Sequence, residues 1–203
     1  MLLSLCFIIF AYLMGSLSSA IIVCQLMGLP DPRSQGSGNP GATNVLRFGG
    51  KKLAIIVLLG DALKGVIPVL LAKLLGLSPA ALAYIALAAF LGHLFPVFFG
   101  FRGGKGVATA LGVILVLSWP VAVFAILVWI MMAAIFRYSS LAALTAAVLA
   151  PVLAFFVSEI YMFYAITLIS IILIVRHYDN IRRLWAGTEG KIGNKKVPPM
   201  NNT

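Results

Sequence analysis

The chain has 203 residues, 62% of them hydrophobic and 10% charged, with a mean hydropathy of +1.09. No water-soluble core of this size could bury so much apolar surface, so a soluble globular domain is excluded and a membrane protein is indicated. Fifteen Lys and Arg against five Asp and Glu leave +10, which in a membrane chain points to an anionic leaflet or a phosphorylated substrate rather than to nucleic acid.

Apolar segments at 2–24, 53–75, 80–99, 107–117, 121–136, 141–157 and 161–175 predict seven spans, although two are short for a bilayer that needs about 20 helical residues. No Lys or Arg precedes the first segment, so it is expected to persist as an uncleaved span. Cys6 and Cys24 share that segment and would sit roughly 27 Å apart along one helix, too far for a disulfide. The doubtful join is Ser118-Trp119-Pro120, because 107–136 could instead be one kinked helix. Charge decides for seven. With that count, one face collects Arg33, Arg47, Lys51, Lys52, Arg102, Lys105, Arg137, Arg176, Arg182, Arg183, Lys191, Lys195 and Lys196, thirteen of the fifteen basic residues. The positive-inside rule then puts the N-terminus outside and the C-terminus in the cytoplasm. The expected fold class is an all-α integral membrane bundle of about seven helices. Residues 1–190 would form its single catalytic domain, and 191–203 a basic, disordered tail.

The polar clusters follow in chain order. Gly36-Ser37-Gly38-Asn39-Pro40-Gly41-Ala42-Thr43-Asn44-Val45-Leu46-Arg47 is the one long polar stretch. Its three glycines and proline predict a run of turns, with free N–H groups forming an anion nest that Arg47 could close with its planar fork. Asp61 and Lys64, three residues apart inside the second span, predict an intrahelical pair or a salt bridge supporting the neighbouring loops. His93 closes the third span and reads as a packing or capping residue. Phe101-Arg102-Gly103-Gly104-Lys105-Gly106-Val107-Ala108-Thr109 opens the fourth, and a glycine turn at a helix N-terminus suits phosphate. It lacks the spacing of a nucleotide P-loop, so ATP is not implied. Arg176-His177-Tyr178-Asp179-Asn180 follows the last span, and on a continuing helix His177 and Asn180 would share a face. Taken singly, each cluster would also suit an ordinary interfacial loop. Together they fall at one ends-face of the spans. Two histidines, two cysteines and scattered acids form no metal set.

Three of these clusters, Gly36–Arg47, Gly103-Gly104-Lys105-Gly106-Val107-Ala108-Thr109 and Arg176-His177-x-x-Asn180, resemble the bacterial acyl-phosphate:glycerol-3-phosphate acyltransferases. Gly92-His93-x-Phe95-Pro96 and Asp61-x-x-Lys64-Gly65 fit the same family, and the similarity runs from about Gly15 to Glu189. The resemblance implies a seven-helix enzyme of the bacterial inner membrane, with its active site facing the cytoplasm. It would transfer a fatty acyl group from acyl phosphate to the 1-hydroxyl of glycerol 3-phosphate, giving lysophosphatidic acid and phosphate. No cofactor is implied. The partners are the two substrates, membrane lipid and the soluble enzyme that forms acyl phosphate. The His-x4-Asp motif of other glycerolipid acyltransferases is absent, since Phe98 and Arg182 stand five residues beyond His93 and His177.

By the same resemblance, Ser37, Arg47, Lys105, His177 and Asn180 would be catalytic. Gly36, Asn39, Gly41, Asn44, Gly103, Gly104, Gly106, Thr109 and Ser140 would bind substrate, while Asp61, Lys64 and Glu189 would be structural. Two rivals stay open at this point: a transporter or exchanger of phosphorylated solutes, and a scaffold that binds anionic lipid through its basic face. The one-sided clustering and the lack of an inverted repeat weigh against transport.

Overall fold

The computed structural model describes residues 1–193 and is built from helices: α1 (Leu2–Gly15), α2 (Ser19–Leu26), α3 (Ala42–Phe48), α4 (Gly50–Leu74), α5 (Pro79–Leu94), α6 (Val107–Leu117), α7 (Trp119–Phe136), α8 (Ser139–Val157), α9 (Ile160–Arg176) and α10 (Tyr178–Trp185). The expected residues 194–203 of the tail lie outside the described residues. Starts follow local chemistry. Ser78 Oγ accepts from Ala81 N at 3.3 Å with Pro79 at the first position of α5, and Glu159 Oε2 accepts from Tyr161 N at 3.2 Å to open α9.

Four helices, α4, α5, α7 and α8, are long and apolar enough to cross a membrane. The first apolar segment is bent by 44° between α1 and α2, and α9 turns by 56° into α10, which brings the number of candidate spans to six. The run 107–136 is broken at Ser118, whose backbone is extended and which is followed by Pro120 inside the first turn of α7. That leaves α6 as an apolar helix of 11 residues.

Three local expectations need correction. The 36–47 stretch is not turns throughout: its breakers end at Gly41, and Ala42-Thr43-Asn44-Val45-Leu46-Arg47-Phe48 has nothing to stop a helix, so α3 forms. The helix after the last span does not continue through His177, because the chain bends there and α10 starts anew. Finally, the first residues of the tail expected to be disordered carry contacts, with Lys191 exposed and Ile192 half-buried. Ile192 N donates to Arg137 O at 2.7 Å, and the Lys191 ammonium stands 5.7 Å from the centre of the Tyr138 ring.

Close helix packing sets the positions of the polar ends. A Cβ on Gly15 would strike the Ala89 carbonyl and one on Gly92 the Tyr12 carbonyl, so α1 and α5 approach backbone to backbone. Gly112 meets the Ala62 carbonyl in the same way, which locks α6 to α4. Small residues are what allow such contacts in a membrane, where packing replaces the hydrophobic drive. Phe90, Ile85, Leu94, Val113, Ile166 and Ile169 fill the centre. Outside, Ile55, Leu59, Leu127, Phe155, Phe156 and Ile171 are exposed, a surface suited to lipid.

Inside this core, Lys64 Nζ lies 2.8 Å from Asp61 Oδ1 and donates to the Leu17 carbonyl at 2.7 Å. The pair is therefore both intrahelical and a brace. It satisfies the carbonyl freed where α1 gives way to α2, a group that would be costly to leave unpaired in a membrane.

Candidate active site

A cavity of about 1270 Å³ runs from the glycine-rich loops into the bundle. Its polar end is lined by Ser37, Asn39, Arg47, Lys105, His177, Asn180 and Glu189, drawn from five separate parts of the chain. Its far wall is apolar: Ile114 of α6, Ala125 and Trp129 of α7, Ala143, Ala147 and Ala150 of α8, and Ile169 of α9. The α8 alanines recur at helical spacing, so one face of that helix leaves a groove rather than a packed seam.

The first loop is organised by Asn44, which is 1% exposed. Its Nδ2 donates to Pro32 O and Gln35 O, both at 2.9 Å, and its Oδ1 accepts from Ser37 N at 2.9 Å. Gly38 N donates to Gln35 O at 2.9 Å and Gly41 N to Asn39 O at 2.9 Å. The expected nest of free N–H groups is thus largely filled by the loop itself. Asn44 lines the cavity and spends its amide on shaping the loop. Gly36 and Gly38 sit at φ +56 and +71, the left-handed region where glycine carries no steric cost. Arg47, in the last turn of α3, lines the cavity, and its guanidinium has no hydrogen bond or ion pair among the described residues.

The second loop presents its charge differently. Gly106 (φ +85) is the N-cap of α6 and offers no side chain to the helix, while Gly106, Val107 and Ala108 line the cavity. The first N–H groups of α6 have no hydrogen-bond partner among the described residues, and the positive end of the helix dipole lies at the cavity wall. Lys105 donates to Asn180 Oδ1. Burial, then the nearby Arg183 and Arg176 cations, push its ammonium down to about 8, against the pull of Glu189 and Asp179. The second loop also lines a smaller polar pocket of about 220 Å³, where Gly103 and Lys105 meet Ser37, Asp179 and Arg183.

From α9 and α10 comes a third group. His177 Nδ1 is 2.8 Å from the Leu173 carbonyl, so Nδ1 carries the hydrogen and Nε2 is the acceptor. Burial, with Lys105 and Arg176 nearby, pushes its pKa down to about 4, so the imidazole is neutral at physiological pH. Glu189 Oε1 accepts from Asn180 Nδ2 and from Ser140 Oγ, each at 2.6 Å, and Oε2 accepts from Arg183 Nε at 2.7 Å. Burial alone would raise the Glu189 carboxyl, but these three donors hold it below its ordinary range.

Of the residues expected to be catalytic or to bind substrate, all but two line one of these cavities. Thr109 is 0% exposed and faces away from the cavity, with its Oγ1 donating to the Asp61 carbonyl at 2.8 Å. It pins α6 to α4 and lines neither cavity. Gly104 is buried against His93 and lines neither cavity. Sequence reasoning also missed Arg176 as a loop clamp: its Nη2 donates to the carbonyls of Gly103 (3.3 Å) and Gly104 (3.1 Å). No spacing rule pairs residues more than 70 positions apart.

Comparison with known proteins bears on this geometry. The family model described as glycerol-3-phosphate acyltransferase matches residues 5–187. A glycerol-3-phosphate acyltransferase of Methylococcus capsulatus is 57% identical over 189 residues, covering 93% of this chain and 96% of the relative. One from Thioalkalivibrio sulfidiphilus is 60% identical over 196 residues, covering 96% and 97%. Among solved structures, the glycerol 3-phosphate form of PlsY (YgiH), an integral membrane glycerol 3-phosphate acyltransferase, aligns with a TM-score of 0.89 at 45% identity over 94% of this chain and 96% of that one. Its lysophosphatidic acid form aligns with a TM-score of 0.87 at 44% identity over 93% and 94%.

Proposed function

The chain belongs to the glycerol-3-phosphate acyltransferase family, and from that premise we propose that it moves a fatty acyl group from an acyl phosphate to the 1-hydroxyl of glycerol 3-phosphate. The products are lysophosphatidic acid and inorganic phosphate. The observation that carries this reading is one cavity with two unlike ends. Its mouth holds Arg47, Lys105 and the uncapped start of α6, and its depth is walled by Ala, Ile and Trp. A phosphorylated donor with a long acyl tail needs both, and a transported solute needs no such groove.

Both substrates carry phosphate. Arg47, through a planar fork, and Lys105, through a point charge, hold these groups side by side. Ser37 hydrogen-bonds substrate with its free hydroxyl. The glycerol oxygen attacks the acyl carbonyl carbon, a tetrahedral oxyanion forms, and the C–O bond to phosphate breaks. A base with a pKa near 4 is weak, which favours a phosphate oxygen of the donor as acceptor of the hydroxyl proton and leaves His177 Nε2 to orient that hydroxyl. Asn180 holds the Lys105 ammonium, and Glu189 ties Asn180 to Ser140 and Arg183. Acyl phosphate is already activated, so positioning supplies much of the rate.

We read seven spans: α1 with α2, then α4, α5, α6, α7, α8 and α9, with residues 1–190 as one catalytic unit. The N-terminus faces outward and the basic loops face the cytoplasm of a bacterial inner membrane, where a soluble enzyme supplies acyl phosphate. The basic asymmetry supports this orientation. Purified protein given acyl phosphate and glycerol 3-phosphate should release phosphate in step with lysophosphatidic acid. Equal turnover with acyl-CoA would overturn the donor assignment, and absence of acyl transfer would overturn the reading itself.

A further inference from the structure

The loop carrying Lys105 rests on a histidine that the reaction above does not use. His93, in the last turn of α5, is 6% exposed and buried at the edge of the main cavity. Its carbonyl accepts from Gly104 N at 3.3 Å. A Cβ on Gly104 would collide with His93 Nε2, with Cε1 at 3.0 Å and the Pro40 carbonyl at 3.1 Å. Gly104 does not have a left-handed φ, so its backbone would accept alanine. What requires glycine there is the neighbouring ring.

Behind that ring lies a buried ion pair. His93 Nδ1 stands 3.6 Å from Asp61 Oδ1, and the carboxylate is held by Lys64 at 2.8 Å. Thr109, two residues into the helix that the loop opens, is tied to the backbone of the same Asp61. On another side, Arg176 grips the Gly103 and Gly104 carbonyls. The loop is clamped between an arginine that pulls on its carbonyls and an imidazole that limits its approach. Lys105 is the next residue along.

We propose that His93 is a positioning residue for the acyl transfer: its imidazole is the stop against which Gly104 sits, and it thereby sets where the Lys105 ammonium meets the phosphate of glycerol 3-phosphate. This rests on the reading that the chain acylates glycerol 3-phosphate with Lys105 as a phosphate ligand.

The test is a size-complementation cycle on the purified full-length enzyme, with KM measured separately for the two substrates. His93→Ala removes the stop and should raise KM for glycerol 3-phosphate about tenfold, leaving KM for acyl phosphate within about twofold. Gly104→Ala adds a methyl group against the ring and should raise the same KM by a similar factor. In the double variant the methyl occupies the vacated space, and KM should fall at least about fivefold below that of Gly104→Ala, a non-additivity expected only of touching groups. His93→Asn, which keeps an amide beside Asp61, replaces His93→Ala in the cycle should the alanine variant not fold. A double variant whose KM is the product of the two single effects would overturn the proposal. So would a His93 variant in which both KM values rise together. A wild-type enzyme without acyl transfer would instead sink the underlying activity, so the two failures are told apart.

Discussion

The two glycine-rich loops look alike in sequence and differ in what they leave open. In the first, the N–H groups of Ser37, Gly38 and Gly41 are already bonded within the loop, two of the three to side-chain or backbone oxygens that Asn44 and Gln35 hold in place. What it turns toward the cavity is Arg47 on α3 and Ser37, the groups proposed above to hold substrate. In the second, the start of α6 is uncapped and faces the cavity, and Lys105 stands beside it. Glycine content therefore says that a backbone can bend or be approached closely. Whether its donors are available depends on who else has claimed them.

The sharpest way to break this contrast is to remove its charge. Lys105→Met should lower kcat/KM by about 10²–10³, the usual scale for losing one preorganised donor to a developing charge, with the folded helix content unchanged by circular dichroism. A loss below tenfold would mean that the second loop holds substrate through its backbone alone. Next comes Asn44→Ala, which leaves the Ser37 N–H and the Pro32 and Gln35 carbonyls without their partner, the Pro32 carbonyl being buried, at about 1–3 kcal/mol for a buried unsatisfied group. We expect a fall in Tm together with a loss of activity of about tenfold or more, because the first loop would open. Unchanged Tm would show that the loop is held by something other than that amide.

A smaller effect separates the loops by pH. Lys105, pushed down to about 8, is a cation below that value and loses its proton above it. The part of kcat/KM that depends on its charge should be full near pH 7 and decline as pH rises through about 8. His177, near 4, does not change charge over that range. Lys105→Arg should abolish the alkaline decline whatever it does to the absolute rate, since a guanidinium stays charged; persistence of the decline would assign it to another group. The smallest effect belongs to Thr109→Val. Its hydroxyl holds only the Asp61 carbonyl, so stability should fall by about 1 kcal/mol while both KM values stay within about twofold. A raised KM for glycerol 3-phosphate would return Thr109 to the substrate site.

Much of the architecture is legible in the chain because hydropathy is a local property. The seven apolar segments correspond to α1 with α2, α4, α5, α6, α7, α8 and α9, and Pro120 marks the α6–α7 break as expected. The three polar clusters were legible as well, since a glycine run or a charge between apolar stretches stands out. What stayed hidden is who bonds to whom. Asn44 and Thr109 have the same polar character whether they hold a ligand or a carbonyl. Their actual partners, Pro32 with Gln35 in one case and Asp61 in the other, are set by how α3 folds and how closely α6 approaches α4. The bend at His177 was hidden for a related reason. Neither flanking stretch holds a Gly or Pro that would mark a break, and the bend buries His177 and Asn180.

Glu189 gathers Ser140, Asn180 and Arg183, and a few residues later Ile192 pairs with Arg137. One carboxylate thus buttons α8 and α10 to the strap that follows them, and releasing it would slacken Ser140, Asn180 and Arg183 in concert rather than one at a time.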